Sequence, residues 1–306
     1  MSEMNWVEKL KAEAEKTNSI VCFGIDPTET TTPTVSVREF YFQILNEIRR
    51  TGIQPAAFKP NLGFFEGMSE THDWLHGLGI LRAICDYYQD AGIPLILDAK
   101  RGDIGKTAER YAYGDFELKR ADALTVNPYL GSDSIRPFAA YCAPEKGGKG
   151  VYILCRTSNP SANELQGLPV RDEETGLPAS LYHSVANFIR SDWHVPGVGA
   201  VVGATSIHDL EIIAQELKQF GKEIPLLIPG VGAQGGSAAE VADVLRRVGY
   251  DLRICRINSS SGIAEAWRKE HADIDFIDPI FLGSIDYAGA AVREIKKLNT
   301  EIGPIQ

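Results

Sequence analysis

Eight short runs of apolar residues recur along the chain. Each run is almost continuously hydrophobic, whereas apolar and polar residues would alternate in a half-exposed strand. Continuity of this kind is typical of parallel β-strands that are buried on both faces. We therefore predict eight buried strands. They are Ser19–Asp26, Pro55–Pro60, Ile93–Lys100, Ala123–Pro128, Gly150–Ser158, Gly197–Ala204, Pro225–Gly232 and Leu252–Ser259.

Amphipathic stretches with the period of an α-helix lie between these runs. Ser132, Ser206 and Ser237 stand where three of the helices would begin, and serine is a favoured N-cap residue. Helices at the two ends of the chain, the last near Ala288–Leu298, are predicted to flank the alternating units. The helices predicted beside the strands are Val37–Arg50, His72–Ala91, Ile104–Lys119, Ser132–Tyr141, Ser180–Asp192, Ser206–Phe220, Ser237–Val248 and Ile263–Glu270.

Eight strand–helix units in 306 residues predict a (β/α)8 TIM barrel, an α/β fold that forms a single domain over residues 1–306. A doubly wound open sheet is the alternative, but it usually has fewer strands, and no GxGxxG motif follows the first run. One connection, from Asn159 to about Ala179, is unusually long and polar. Long segments of this kind inside a compact fold are often functional, so residues 159–179 are predicted to form an active-site lid.

The chain is acidic, with 31 lysines and arginines against 41 aspartates and glutamates and a net charge of −10. This charge argues against nucleic acid or an anionic membrane as a partner, because both attract basic surfaces. No apolar stretch reaches the ~18 residues of a membrane span, and the first residues lack the apolar core of a secretory signal. The five cysteines are far apart, and three lie in apolar runs, which predicts reduced, buried thiols in a cytoplasmic protein.

Polar residues concentrate where the predicted strands end, and barrel enzymes bind their substrates at the carboxyl ends of the strands. Asp98 and Lys100 are two residues apart, so a regular strand would place them on one face. Lys59 ends the neighbouring strand, and Asp103 lies in the turn just beyond Lys100. Two acids and two bases are therefore expected to meet at the barrel mouth as a candidate catalytic cluster. A structural network of ion pairs is the alternative interpretation.

A glycine-rich turn, Gly230–Gly236, follows the seventh run and precedes a helix that begins near Ser237. Backbone N–H groups in such a turn, together with the helix N-terminus, predict a phosphate site. The small polar segment Asn258–Gly262 ends the adjacent run and supports this prediction. The alternative is a set of tight turns that need the positive φ of glycine. The six histidines have no metal-binding spacing, so no metal site is predicted.

The segment Asp98-Ala-Lys100-Arg-Gly-Asp103 resembles the DxKxxD signature of the orotidine 5′-phosphate decarboxylase family. Other segments resemble the longer-chain branch of that family, and they follow in the same order from the first run to the eighth. The DxKxxD motif alone is shared by a wider superfamily, whereas the joint set is highly specific. The other segments are Phe23–Pro27, Phe58–Asn61, Cys155–Pro160 and Pro229–Gly236.

The resemblance implies conversion of orotidine 5′-phosphate to uridine 5′-phosphate and CO₂, the last step of de novo pyrimidine nucleotide synthesis, without metal or organic cofactor. It implies that Lys100 donates a proton to C6 of the pyrimidine, within a charged array that includes Asp98 and Lys59. It also implies a homodimer in which Asp103, Ile104 and Thr107 cross into the site of the other subunit. The remaining implied or predicted substrate contacts are Asp26 and Lys59 with the ribose, Ser158 with the pyrimidine, Gln234 and the backbone near Gly262 with the phosphate, and Asn127 at the end of the fourth run.

One position departs from the family pattern. The segment after the eighth run usually reads Asn-x-Ser-Arg-Gly in the family, and its arginine forks onto the phosphate, whereas this chain has Ser261 before Gly262. A serine hydroxyl is a single neutral donor, so weaker phosphate binding is expected while the charged array is intact. Arg256 lies inside the predicted strand and is not expected to replace the missing fork.

Three other functions are open at this point. A magnesium-dependent sugar-phosphate decarboxylase of the same superfamily would carry a metal-binding acid at the end of the second strand, where this chain has Lys59. A non-catalytic nucleotide-binding paralogue is suggested by Ser261. A Schiff-base aldolase would use Lys59 or Lys100, but a lysine paired with aspartate stays protonated and is a poor nucleophile.

Overall fold

The computed structural model describes residues 4–28, 36–68, 75–171, 176–232, 234–271 and 285–305. Eight of its strands run parallel in one sheet, and most of their residues are buried, as the continuous apolar runs predict. A separate antiparallel pair of strands occurs in the chain between the fifth and the sixth barrel strand. The strands are β1 (Val21–Ile25), β2 (Ala57–Pro60), β3 (Ile96–Arg101), β4 (Ala123–Val126), β5 (Gly150–Arg156), β6 (Pro169–Arg171), β7 (Pro178–Ser180), β8 (Val198–Val202), β9 (Leu226–Ile228) and β10 (Cys255–Ser259).

The eight-stranded sheet closes into a barrel. Its strand order is β2-β1-β10-β9-β8-β5-β4-β3, so β2 and β3 stand at the two ends of that order. Parallel bridges between Phe58 and Leu95 and between Asn61 and Asp98 join these two ends. The predicted (β/α)8 barrel is confirmed, and each predicted run coincides with one barrel strand, although β3 extends one residue past its run, to Arg101.

Helices follow the barrel strands and cover the outside of the sheet. The helix predicted over Ile104–Lys119 is α-helical only as far as Tyr113 and continues as a π-helix over Gly114–Leu118. The α-helices are α1 (Trp6–Thr17), α2 (Val37–Thr51), α3 (Leu62–Glu66), α4 (Leu75–Gln89), α5 (Gly105–Tyr113), α6 (Ser132–Ala139), α7 (Ala162–Leu165), α8 (Leu181–Arg190), α9 (Ile207–Leu217), α10 (Ala238–Val248), α11 (Ser261–Ala264), α12 (Ala266–Glu270) and α13 (Tyr287–Ile302). Short 3₁₀ turns occupy Pro128–Leu130, Ala140–Cys142, Pro144–Lys146, Gln219–Gly221 and Leu252–Ile254.

The three predicted serine caps have different outcomes. The Ser237 hydroxyl accepts a hydrogen bond from the Glu240 amide, as an N-cap does. Ser206 is the N-cap of α9 but makes no capping bond with its side chain. The prediction for Ser132 is wrong, because α6 already begins at that residue and the Ser132 hydroxyl accepts a hydrogen bond from the Trp193 indole.

The segment over residues 159–179 is not a plain loop. It contains α7 and most of the two-stranded antiparallel pair, in which Val170 lies opposite Ala179. Residues 172–175 of this predicted lid lie outside the described residues. Gln166 is held at its base, since its side chain accepts from the Thr157 amide and donates to the Thr157 hydroxyl.

Helix α1 covers the amino-terminal end of the barrel. The Trp6 indole donates to the Tyr152 hydroxyl at 3.2 Å. A Cβ at Gly150 would lie 2.5 Å from the Trp6 ring, so glycine at this position permits the close approach. This packing leaves the opposite, carboxyl end of the barrel as its open mouth.

All five cysteines are buried and unpaired, which confirms their predicted burial. Burial raises the pKa of Cys22, Cys85 and Cys142 to about 12. Thiols with such pKa values are poor nucleophiles at neutral pH. Within the described residues, no helix combines the length and the apolar character needed to cross a membrane.

Candidate active site

A cavity of about 590 Å³ opens at the carboxyl ends of the barrel strands. This is the end of the fold at which TIM-barrel enzymes bind their substrates. Seven of the residues predicted from the sequence line it. They are Asp26, Lys59, Asp98, Lys100, Ser158, Gln234 and Ser261.

Asp98 is the centre of a charged array at one end of this cavity. The Lys59 ammonium group donates to Asp98 Oδ2 at 2.8 Å, and the Lys100 ammonium group donates to Asp98 Oδ1 at 2.7 Å. Lys59 is 3% exposed and Asp98 9% exposed, whereas the Lys100 side chain is 49% exposed. Lys100 is therefore the member of the array that can reach a ligand without breaking the buried pair.

Both buried members of the array are charged at neutral pH. Burial acts to raise the pKa of Asp98, but the ammonium groups of Lys59 and Lys100 outweigh it and hold that pKa well below its usual range. Burial acts to lower the pKa of Lys59, but the carboxylates of Asp98 and Asp26 outweigh it and raise that pKa above its usual range. The array therefore presents fixed charges to the cavity.

The strand that carries Asp98 and Lys100 is irregular. The pairing of β3 with β4 shifts register between Leu97 and Arg101, and Lys100 has the left-handed backbone angle φ 46°. Such a conformation is uncommon for a residue other than glycine. Asp98 and Lys100 do meet as predicted, but through a bulge and not through the alternation of a regular strand.

Arg101 anchors the end of β3 to the π-helix that follows α5. Its guanidinium group donates to the buried carboxylate of Asp115, with an Nε–Oδ2 distance of 2.9 Å. Asp115 belongs to the π-helix and also accepts from Lys119 at 2.7 Å. The departure from α-helical geometry after Tyr113 thus accompanies a charged anchor for the strand that carries the array.

Ser158 and Gln234 are brought together by glycines. A Cβ at Gly203 would lie 2.9 Å from the backbone of Ser158. Gly230 has φ 96°, and a Cβ there would lie 3.0 Å from both the Ser158 side chain and the Gln234 side-chain oxygen. These close approaches explain why glycines follow β8 and β9, and they place two predicted substrate ligands side by side.

The glycine-rich turn does not provide the predicted set of free amides. The N–H groups of Gly232, Gly235 and Gly236 all donate to carbonyl groups within the turn. The tight-turn interpretation therefore accounts for these three amides, and the Gln234 side chain is the part of the turn that lines the cavity. The start of α10 is likewise occupied by its own serine cap.

The turn after β10 forms the part of the cavity wall that lies three strands round the barrel from β3. Ser261 begins the short helix α11, and Glu265, four residues later, also lines the cavity. The Arg256 guanidinium group points away, toward the amino-terminal end of the barrel, and donates to the Leu10 carbonyl at 2.8 Å. Arg256 therefore does not replace a phosphate-binding arginine, as expected.

Lys59 and Lys100 are the cavity-lining cations in the described part of the chain. The residues left undescribed contain no lysine or arginine. One chain therefore supplies positive side chains to the end of the cavity at Asp98 and none to the end at Ser261.

Five predicted site residues do not line the cavity of their own chain, and Gly262, beside Ser261, is one of them. Asp103 accepts from the Ile104 amide, so the four-charge cluster expected from spacing within one chain is wrong for Asp103. The Ile104 side chain is 51% exposed, and Thr107 is exposed on α5. Asn127 is exposed and accepts from the Tyr129 amide, so it caps a turn beyond β4 instead of entering the cavity.

Sequence reasoning also missed residues that do line the cavity. Thr125, in the middle of the buried run of β4, contacts Asp98, and its only signal was a polar side chain among apolar neighbours.

The Oδ1 atoms of Asp26 and Asn258 are buried at the cavity without a hydrogen-bond partner in the described residues. Buried acceptors are costly to leave unpaired, so these two atoms are suited to hydroxyl groups of a bound ligand.

Gly262 has a packing role that the sequence did not reveal. It is buried, and a Cβ there would lie 2.4 Å from the Ser259 hydroxyl oxygen. The backbone at Gly262 can therefore approach the end of β10 closely, beside Ser261 at the cavity wall.

The closed barrel and the charged array at its mouth define a TIM-barrel enzyme. The family described as "Orotidine 5'-phosphate decarboxylase / HUMPS family" matches residues 19–270. An orotidine 5'-phosphate decarboxylase of Cupriavidus metallidurans is 38% identical over 273 residues, which cover 87% of this chain and 92% of the relative. The chain therefore belongs to the orotidine 5′-phosphate decarboxylase family.

Solved structures agree with this assignment. The OMP decarboxylase of Leishmania donovani is 29% identical with a TM-score of 0.69, and the match covers 98% of this chain and 99% of that one. A putative orotidine 5'-phosphate decarboxylase from Streptomyces avermitilis is 26% identical with a TM-score of 0.73, and the match covers 99% and 97% of the two chains.

Proposed function

We propose that this protein decarboxylates orotidine 5′-phosphate to uridine 5′-phosphate and CO₂. The observation that carries the proposal is the fixed Lys59–Asp98–Lys100 array, whose ammonium and carboxylate groups lie 2.7–2.8 Å apart at one end of a nucleotide-sized cavity. Its membership of the family and the 38% identical relative support the same reaction.

The array suits a reaction in which negative charge develops at carbon. The bond between C6 and the carboxylate breaks, CO₂ leaves, and the electron pair stays on C6. Lys100 stabilises that charge and then transfers a proton to C6, after which solvent reprotonates the amine. Asp98 holds both ammonium groups in place, and Lys59 keeps Asp98 charged inside the barrel.

The remaining cavity residues bind three different parts of the substrate. Asp26 and Lys59 bind the ribose hydroxyls, to which the unpaired Oδ1 of Asp26 is suited. Ser158 faces the pyrimidine. Gln234, Ser261 and the backbone near Gly262 bind the phosphate, and the contact is weak because no arginine is among the described residues that line the cavity. Binding energy from this remote group drives closure of the lid over residues 159–179, which excludes water from the reacting carbon.

A spectrophotometric assay tests the reaction directly. Loss of the orotidine 5′-phosphate absorbance is followed after exhaustive treatment of the protein with a chelator, and full activity is expected to persist. Activity that vanishes with the chelator and returns with Mg²⁺ would favour the metal-dependent relative. Binding of uridine 5′-phosphate without any turnover of orotidine 5′-phosphate would favour the non-catalytic paralogue.

The complete site is proposed to form in a homodimer, with Asp103, Ile104 and Thr107 supplied by the other subunit. Ile104, four residues after Lys100, is a large apolar side chain that is 51% exposed, which supports burial against a second copy. Asp103 is on the same exposed turn and does not enter its own cavity. The partner's Asp103 would complete the charged array from outside.

Mixed dimers test this arrangement. Lys100→Ala and Asp103→Asn are each expected to be inactive alone, but one of the two sites in a mixed dimer keeps Lys100 and receives an intact Asp103 from the partner. Random pairing makes half of the dimers mixed, so co-expression is expected to restore about a quarter of the parent activity. If Asp103 served its own chain, co-expression would restore none.

A further inference from the structure

One residue of β4 lies opposite three residues of β3. Leu97 pairs with Leu124 and Arg101 pairs with Val126, so Thr125 is the single residue that faces the bulged stretch from Asp98 to Lys100. Thr125 is 1% exposed and lines the cavity. A bulge of this kind leaves backbone groups without their usual ladder partners.

The Thr125 hydroxyl takes the place of those missing partners. Its oxygen accepts from the Ala99 amide at 3.1 Å and from the Lys100 amide at 2.9 Å. Lys100 has the left-handed angle φ 46°, a conformation that the surroundings of a lysine must hold in place. Thr125 therefore fixes the backbone from which the Lys100 side chain starts.

The same hydroxyl also fixes the carboxylate. It donates to Asp98 Oδ1 at 2.9 Å, the same oxygen that accepts from the Lys100 ammonium group. One donor and two acceptor sites are all that a threonine hydroxyl has, and this one uses all three. Both ends of the Asp98–Lys100 contact, the carboxylate and the lysine backbone, are thus tied to one atom.

We propose that Thr125 is a positioning residue that aims the Lys100 ammonium group at the reacting carbon by holding the Lys100 backbone and the Asp98 carboxylate together. This inference rests on the proposed decarboxylation. Its consequence is a specific kinetic pattern: loss of the hydroxyl lowers kcat more than it raises KM, because Lys100 acts at C6 while other residues bind ribose and phosphate.

Two substitutions separate the hydroxyl from the shape of the side chain. Thr125→Val keeps the volume and removes the hydroxyl, and kcat is expected to fall at least about tenfold with KM changed by less than about threefold. Thr125→Ser keeps the hydroxyl, and kcat is expected to stay within about threefold of the parent value. Ser134→Ala is the matched control, since it removes another fully buried hydroxyl, which donates to the Asn127 carbonyl outside the cavity.

Two further measurements distinguish positioning from a purely structural role. In a Lys100→Ala background, Thr125→Val is expected to lower kcat no further, because its effect passes through Lys100. Hydrogen exchange of the Ala99 and Lys100 amides is expected to be faster in Thr125→Val than in Thr125→Ser.

Three results would overturn the inference: parent-like kcat in a folded Thr125→Val, equal losses in the valine and serine variants, or a loss of the same size from Ser134→Ala. If the parent protein itself does not turn over orotidine 5′-phosphate, the proposed function fails. The amide exchange of the Thr125 variants then still tests whether this hydroxyl holds the bulge.

Discussion

Replacing Lys100 with alanine is expected to lower kcat by at least about 10⁴-fold. General acid catalysis by a positioned group contributes about 10²–10⁴-fold, and electrostatic stabilisation of developing charge contributes a further ~10²–10³-fold. Lys100 is proposed to supply both effects, since its ammonium group faces the negative charge at C6 and donates the proton. No other cation among the described cavity residues can take over, because Lys59 is buried against Asp98.

The loss in this variant is expected to be chemical and not structural. In Lys100→Ala, Asp98 still accepts from Lys59 at 2.8 Å and from Thr125 at 2.9 Å, so the buried carboxylate keeps two partners. Binding of uridine 5′-phosphate, measured by calorimetry, is expected to change far less than kcat. Lys297→Ala, which removes an exposed lysine on α13, is the control and should behave like the parent. Near-parent turnover by Lys100→Ala would contradict the proton-donor role.

Much of the fold could be predicted because burial on both faces leaves a direct trace in the sequence. Val198–Val202 is buried throughout, and its continuous apolar run marks it as a parallel strand. Helix ends were less predictable. Ser132 resembles a cap, yet its hydroxyl bonds to Trp193, a partner 61 residues away that no local pattern identifies.

The candidate site could be predicted where a side chain and its partner come from strand ends. Lys59 and Asp98 lie on the adjacent strands β2 and β3, near the mouth of the barrel, so the closed sheet brings them together. Thr125 could not be assigned a role, because its three hydrogen bonds exist only when β3 bulges. The prediction for Asn127 was wrong for a related reason. A side chain just beyond a strand can cap the next turn as readily as it can face the cavity.

The positive and negative side chains of the cavity lie in different parts of its wall, which affects how strongly each part of the substrate is bound. Lys59 and Lys100 lie at the Asp98 end, while Glu265 lines the cavity four residues after Ser261. A phosphate dianion bound near Ser261, as proposed, would meet hydroxyl and amide donors and one carboxylate. If the phosphate binds there, the cavity binds the reacting end of the substrate more strongly than its phosphate, and position 261 is where we expect substitution to improve binding most.

Replacing Ser261 with arginine is expected to raise kcat/KM for orotidine 5′-phosphate by about 10- to 150-fold. A charged hydrogen bond contributes about 1.5–3 kcal/mol, the guanidinium fork makes two of them in place of one neutral bond, and each ~1.4 kcal/mol corresponds to a factor of ten. Ser261 lines the cavity at the start of α11, so the longer side chain of Ser261→Arg has open space ahead of it. Steady-state kinetics with the intact substrate measures the effect.

Three comparisons identify the source of any gain from Ser261→Arg. Ser261→Gln adds length without charge and is expected to improve kcat/KM little, and Ser261→Lys adds a point charge without the fork and should fall between the two. With orotidine, which lacks the phosphate, all three variants are expected to match the parent, because the new guanidinium group has no dianion to bind. A gain of equal size on both substrates would locate the effect away from the phosphate, and no gain with the phosphorylated substrate would remove Ser261 from the phosphate site altogether.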